Sequence, residues 1–213
     1  MPAAIRLCLI TDRRALGPDP EALDLVVQLA VDAARAGVDV VQLRERDLTA
    51  AALVALARRA VAAMRGTAAR LAVNDRLDVA LAAGADGVHL TTRSLEPRVV
   101  RACTRPGLLV GASTHSEAEV ETASAGGVDY VVCGPVYDTP SKRGMGDPLG
   151  PDRVGAIAAA SRVPVLALGG LTRENAPATV AAGAAGVAAI RLFQDAWLAG
   201  RLEALVAELK GSI

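Results

Sequence analysis

Aromatic side chains are nearly absent: Tyr130, Tyr137, Phe193 and Trp197 are the only four in 213 residues. Platforms for stacking nucleic-acid bases are therefore scarce, and a core has to be built from Val, Leu, Ile and Ala. Net charge is absent as well. The 23 Lys plus Arg residues balance 23 Asp plus Glu, which leaves no cationic excess to displace counterions from DNA, RNA or an anionic membrane. Nucleic acid is not an expected partner. Cysteine is sparse: Cys8, Cys103 and Cys133 are odd in number, widely spaced and free of any CxxC arrangement. That excludes a disulfide framework and a thiolate zinc site and fits a reducing cytoplasm. The two histidines, His89 and His115, have no partner at zinc spacing. Long hydrophobic runs are missing too. The most apolar tract, from Val180 to Ile190, is too short to cross a bilayer and is interrupted by glycines. The N-terminal apolar run lacks the basic region and small-residue cleavage site of a signal peptide. A soluble cytoplasmic protein without membrane contact is expected.

What is present is alternation. Short β-rich apolar runs at residues 5–12, 38–44, 70–75, 87–90, 108–114, 129–135, 164–170 and 186–192 are each followed by a segment of helical spacing. No Ser/Pro/Gly-rich linker separates them. The runs are nearly continuously hydrophobic, as strands covered on both faces should be, so the order implies a parallel sheet. A recurring element introduces several of them: Gly37-Val38-Asp39, Gly84-Ala85-Asp86, Gly127-Val128-Asp129 and Gly183-Ala184-Ala185. A glycine there suits the left-handed end of one helix before the next strand begins. This quasi-repeat favours a closed α/β barrel, a single (β/α)₈ TIM-barrel domain over residues 1–213, with an open α/β sheet as the alternative. Assembly of copies into a homo-oligomer is compatible with such a fold.

In a barrel the strands should stay apolar until their C-terminal ends, where the following loops build the site. Polar groups appear in those places: Thr11-Asp12, Gln42 and Arg44, Asn74-Asp75, His89, Ser113-Thr114, Gly134-Pro135, Gly169-Gly170 and Arg191. Gln42 and Arg44 lie two positions apart on a strand and point the same way, and Arg44 can grip phosphate or carboxylate bidentately. Pairing with Asp12 or Asp75 is the structural alternative for Arg44. Asn74 and Asp75 offer oxygen ligands suited to Mg²⁺, or else they cap the next helix. His89 could orient a substrate, move a proton, or serve as a hydrogen-bonded structural histidine. His115, just before Ser116 and Glu119, reads as a helix-start residue.

Residues 134–146 form the longest expected loop and read as a closing loop. Within it Thr139, Ser141 and Lys142 supply hydroxyls and a point charge for a diphosphate. Gly169-Gly170, with Arg191 after the next run, matches the phosphate site that barrels often build after their seventh and eighth strands.

These motifs, in order, resemble the thiamine phosphate synthase/TenI family. The matching stretches are Leu9-Ile-Thr-Asp12, Val41-Gln-Leu-Arg-Glu-Arg46, Val73-Asn-Asp-Arg76, Gly84-Ala-Asp-Gly-Val-His-Leu90, Gly111-Ala-Ser-Thr-His115, Asp129-Tyr130, Gly134-Pro-Val-Tyr-x-Thr-Pro-Ser-Lys142 and Leu168-Gly-Gly170. The resemblance implies coupling of hydroxymethylpyrimidine diphosphate to thiazole phosphate, by departure of diphosphate and capture of the resulting cation by the thiazole nitrogen. It further implies that Arg44, Asn74, Asp75, Ser113 and Lys142 hold Mg²⁺ and diphosphate. Thr139, Ser141, Gly169 and Gly170 would serve the thiazole phosphate or the loop, and Gln42 and His89 would face the pyrimidine. Ser94 stands where the synthase pattern has a second metal-binding acid, a weaker ligand for a hard cation. Ser94-Leu95 and Lys142-Arg-Gly-Met145 look more like the TenI branch, whose activity is tautomerisation of the thiazole carboxylate phosphate. The acid/base histidine of that branch falls at Pro135, with Cys133 or His89 as substitutes. Synthase, tautomerase and a non-catalytic thiazole-phosphate-binding protein are the three readings.

Overall fold

The computed structural model describes residues 5–18, 20–139 and 147–212. Eight strands form one closed, all-parallel barrel in sequence order: β1 (Leu7–Ile10), β2 (Val40–Leu43), β3 (Arg70–Asn74), β4 (Gly87–Leu90), β5 (Leu109–Thr114), β6 (Tyr130–Cys133), β7 (Val165–Leu168) and β8 (Gly186–Ala189). Pairing of Cys8 with Ala188 closes the ring. Around it run α1 (Glu21–Ala36), α2 (Ala50–Ala63), α3 (Leu77–Ala83), α4 (Pro97–Cys103), α5 (Glu117–Ala125), α6 (Gly150–Ala160), α7 (Ala176–Ala181) and α8 (Arg191–Leu198), with α9 (Leu202–Gly211) packed on α8 and α1. The (β/α)₈ expectation is met.

Two apolar clusters follow from the period-2 alternation of strand side chains. The inner one fills the barrel with residues such as Cys8, Val40, Leu109, Tyr130 and Leu166, and the outer one joins the other strand faces to the helices. The inward set determines which polar residues reach the mouth: Gln42, Asn74, His89 and Ser113 continue the inner rows of β2 to β5.

The recurring Gly-x-Asp element has a second use beyond helix termination. Gly37, Gly84, Gly127 and Gly183 all adopt positive φ. Each following aspartate, where present, caps the start of the preceding strand. Asp39 Oδ2 accepts from the N–H groups of Arg6 and Leu7 at 2.9 and 2.8 Å. Asp86 accepts from Leu71 N at 2.8 Å, and Asp129 from Val110 N at 2.7 Å. These carboxylates secure the face of the barrel opposite the site.

The expected runs are longer than the strands. Asp12, Arg44 and Gly170 lie in loops, and Arg191 is the first residue of α8 rather than the end of β8.

Candidate functional site

The strand C-termini open into a cavity of about 2030 Å³, lined by Gln42, Arg44, Asn74, Asp75, His89, Ser113, Thr139, Gly169, Gly170 and Arg191. Ten of the twelve residues singled out from sequence are thus brought to one mouth. The other two, Ser141 and Lys142, lie outside the described residues.

Gln42 is 2% exposed, and its Nε2 is a buried donor without a partner among the described residues. A buried donor left unpaired is costly, so this group has capacity for an acceptor at the mouth. The Arg44 guanidinium also makes no hydrogen bond or ion pair among the described residues. The expected alternative, pairing with Asp12 or Asp75, does not occur. Burial and the neighbouring Arg46 lower its pKa, opposed by Asp12 and Glu45, yet a guanidinium stays charged. Its backbone is anchored by a buried network that sequence reading did not assemble. Arg44 N donates to Thr11 Oγ1 at 3.0 Å, and the Thr11 hydroxyl donates to Glu45 Oε1 at 2.6 Å. Glu45 Oε2 accepts from Arg13 N at 3.1 Å, and Arg13 grips Asp47 bidentately at 2.6 and 2.8 Å. Burial raises the Glu45 pKa against its bonds to Thr11 and Arg13. The sequence marks Thr11 as a polar strand end and does not single out Glu45; their mutual contact is a product of β1–β2 register.

Asp75 does not cap α3: the N-cap position is Arg76, which makes no side-chain capping bond. Asp75 instead takes a left-handed backbone, φ 65°, unusual for a non-glycine residue and of the kind concentrated at functional sites. Its N–H donates to the His89 carbonyl at 2.8 Å, and its carboxylate accepts from the Ser94 hydroxyl. Ser94 is in turn held by Thr91 N at 2.8 Å. Ser94 therefore orients the one carboxylate of the Asn74-Asp75 pair. No group of three or more His, Cys, Asp or Glu residues that could hold a metal exists among the described residues.

His89 is buried between two hydroxyls, with Nε2 2.9 Å from Ser113 Oγ and Nδ1 3.2 Å from Tyr130 Oη. Burial lowers its pKa to about 3, so the ring is neutral near pH 7. Cys133 belongs to the outer cluster against the helices, and burial raises its pKa. Cys133, offered by the sequence as a substitute for the histidine missing at Pro135, does not reach the site: Pro135 lines the cavity and Cys133 does not, because Cys133 is on the helix-facing side of β6. His115 does sit at a helix start. Ser116 accepts from Glu119 N at 3.3 Å, and Glu119 accepts from His115 N at 2.7 Å, a reciprocal cap of α5.

Gly169 and Gly170 carry φ 102° and 64°. A Cβ on Gly170 would stand 2.6 Å from the Asp138 carbonyl, and one on Gly169 would stand 2.7 Å from Pro135 Cβ. The loops after β6 and β7 are joined there by Tyr137 N donating to Gly169 O at 3.0 Å. The glycines thus serve close loop packing as well as exposing backbone to the cavity. Ile190 and Arg191 at the start of α8 line the same side.

A barrel whose carboxyl-end rim gathers a guanidinium and an amide donor, both unpaired among the described residues, around one cavity fits the class of enzymes that bind phosphorylated small molecules. Residues 7–193 match the model of the thiamine monophosphate synthase (TMP-TENI) family, and the chain belongs to that family of thiamine-biosynthesis enzymes. It is similar to the thiamine-phosphate synthase of Chlorobium luteolum, 40% identical over 86% of this chain and 82% of that one. The thiamine-phosphate synthase of Chlorobium phaeobacteroides is 34% identical over 99% of both. Among solved structures, thiamine phosphate pyrophosphorylase from Pyrococcus furiosus superposes with a TM-score of 0.82 at 28% identity, covering 98% of this chain and 95% of the other. Among the described residues no helix is long and apolar enough to cross a membrane.

Proposed function

We propose that this chain is a transferase that couples hydroxymethylpyrimidine diphosphate to thiazole phosphate. The observation that carries the reading is the half-buried Arg44 guanidinium, without a protein partner among the described residues, on the same rim as the unpaired Gln42 Nε2. The reaction breaks the bond between the pyrimidine methylene carbon and a diphosphate oxygen, and the electron pair leaves with diphosphate. The thiazole nitrogen then supplies its own pair to the carbon. No proton has to be moved, so the requirement is for positive charge and donors at the leaving group, set in place before ionisation.

Arg44 and Ser113 serve the diphosphate, together with Lys142. Gln42 donates to the pyrimidine, and neutral His89 stands beneath it. Thr139, Ser141, Gly169, Gly170 and Arg191 serve the thiazole phosphate. The donor set fits Mg²⁺ only in its sparest form. Asp75 supplies one carboxylate, Asn74 an amide oxygen nearby, and the remaining ligands come from substrate phosphates and water, a common arrangement for this ion. Bound there, Mg²⁺ would neutralise diphosphate charge.

The tautomerase reading is weaker, because Pro135 carries no proton, Cys133 faces the helices and His89 is held neutral. Purified protein given both substrates and Mg²⁺ is expected to release thiamine phosphate and diphosphate. No product under conditions where a known synthase turns over, or conversion of the thiazole carboxylate phosphate tautomer instead, would overturn the proposal.

A further inference from the structure

We infer that Tyr130 is a positioning residue: its buried hydroxyl fixes His89 in the Nε2–H tautomer, so that Ser113 presents its hydroxyl proton to the anion-binding cavity. The inference rests on the proposed role of Ser113 at that rim. The register creates the arrangement. His89 on β4 pairs with Gly111 on β5, and Gly111 pairs with Tyr130 on β6. A Cβ on Gly111 would lie 2.3 Å from Tyr130 Cζ, so the missing side chain is the gap through which the phenol crosses β5 to reach His89. Ser113, two residues further along β5, meets the opposite ring nitrogen.

Three side chains in a row, bonded through Tyr130 Oη, the two His89 nitrogens and Ser113 Oγ, admit two proton orders. In one, Tyr130 donates to Nδ1, Nε2–H donates to Ser113 Oγ, and the Ser113 proton is left for the cavity. In the other, Ser113 donates to Nε2 and Nδ1–H donates to the phenol oxygen, which strands the Tyr130 proton. Tyr130 is 0% exposed, and its hydroxyl has no partner among the described residues other than His89. Stranding a fully buried donor is the costlier choice, whereas the Ser113 proton faces a cavity open to water or ligand. The first order is therefore the native one. It turns a serine that could act as acceptor or donor into a dedicated anion donor.

The test begins with the full chain labelled with ¹⁵N-histidine and carrying His115→Gln, which leaves His89 as the single histidine of the two. Its nitrogen resonances are expected to show Nε2 protonated and Nδ1 bare; a protonated Nδ1 overturns the inference. Tyr130→Phe keeps the ring over Gly111, and is expected to lose this tautomer preference and to weaken binding of inorganic pyrophosphate by about tenfold. Ser113→Ala should cost about the same, and the double variant no more than either alone. Wild-type affinity in Tyr130→Phe alongside a loss in Ser113→Ala would overturn the relay. If the wild-type chain holds the Nε2–H tautomer yet fails to bind pyrophosphate, the rim reading fails, and the tautomer assignment stands supported by itself.

Discussion

At the scale of single residues, the site is defined by what its side chains are not bonded to. Arg44 is held by its backbone through Thr11 and Glu45 while its guanidinium has no partner among the described residues, which fits the proposed diphosphate role. Arg44→Ala is expected to lower kcat/KM for coupling by about 100-fold or more, and Arg44→Lys to restore only part, because an ammonium cannot reproduce the planar fork. Steady-state kinetics with both substrates read this out. His89 gives a pH prediction. Its folded pKa of about 3 lies below the ordinary histidine value of 6.5, so between those values the unfolded chain binds a proton that the folded chain does not. The stability this neutral histidine contributes is complete above pH 6.5 and is lost progressively as pH falls toward 3. Urea unfolding at pH 7 and pH 4.5 should show a smaller acid loss for His89→Gln than for the parent. The pH–rate profile of the parent should carry no His89 inflection between pH 5 and 8.

At the scale of elements, the barrel separates a face that holds it together from a face that does chemistry. The aspartates before β2, β4 and β6 accept backbone N–H groups at the starts of β1, β3 and β5. Asp86→Ala removes one charged acceptor from a strand start and is expected to cost about 1–3 kcal/mol, seen as a lower urea midpoint. Activity per folded molecule should be unchanged, since Asp86 lies at the end of the barrel away from the cavity. The eight βα units and this repeated element were legible in sequence because period-2 and helical spacing are local properties. The expected runs reach past the strand ends, Arg191 above all, which opens α8, because where a strand gives way to its loop is set by pairing with its neighbours and not by composition. Apart from its place in the Asp129-Tyr130 match, nothing local marks Tyr130 as more than core, and its bond to His89 exists only across three paired strands.

For the whole molecule, the rim should behave as one anion site. Inorganic pyrophosphate at 100 times its dissociation constant should stabilise the folded state by about 2.7 kcal/mol through mass action alone. Thermal unfolding should shift upward with pyrophosphate. The shift should grow with Mg²⁺, shrink when EDTA is added, and weaken with salt as exposed charges are screened. Magnesium that left the shift unchanged would remove Asp75 from the metal role.

The sequence by itself determined the alternation of strands and helices, the chain's family, and the rim residues Gln42, Arg44, Asn74, Asp75, His89 and Ser113, all of which follow from local pattern and position along a strand. Only the tertiary structure decided which of them are bonded and which are free. Arg44 lacks the acid partner it could have had, Cys133 faces away from Pro135, Asp75 is turned by Ser94 instead of capping a helix, and Tyr130 reaches His89 over Gly111. The reason is physical: hydrogen-bond partners in a barrel come from other strands, 15 residues away for Leu71 and Asp86 and 41 for His89 and Tyr130, and their register is a property of the closed sheet rather than of any one segment.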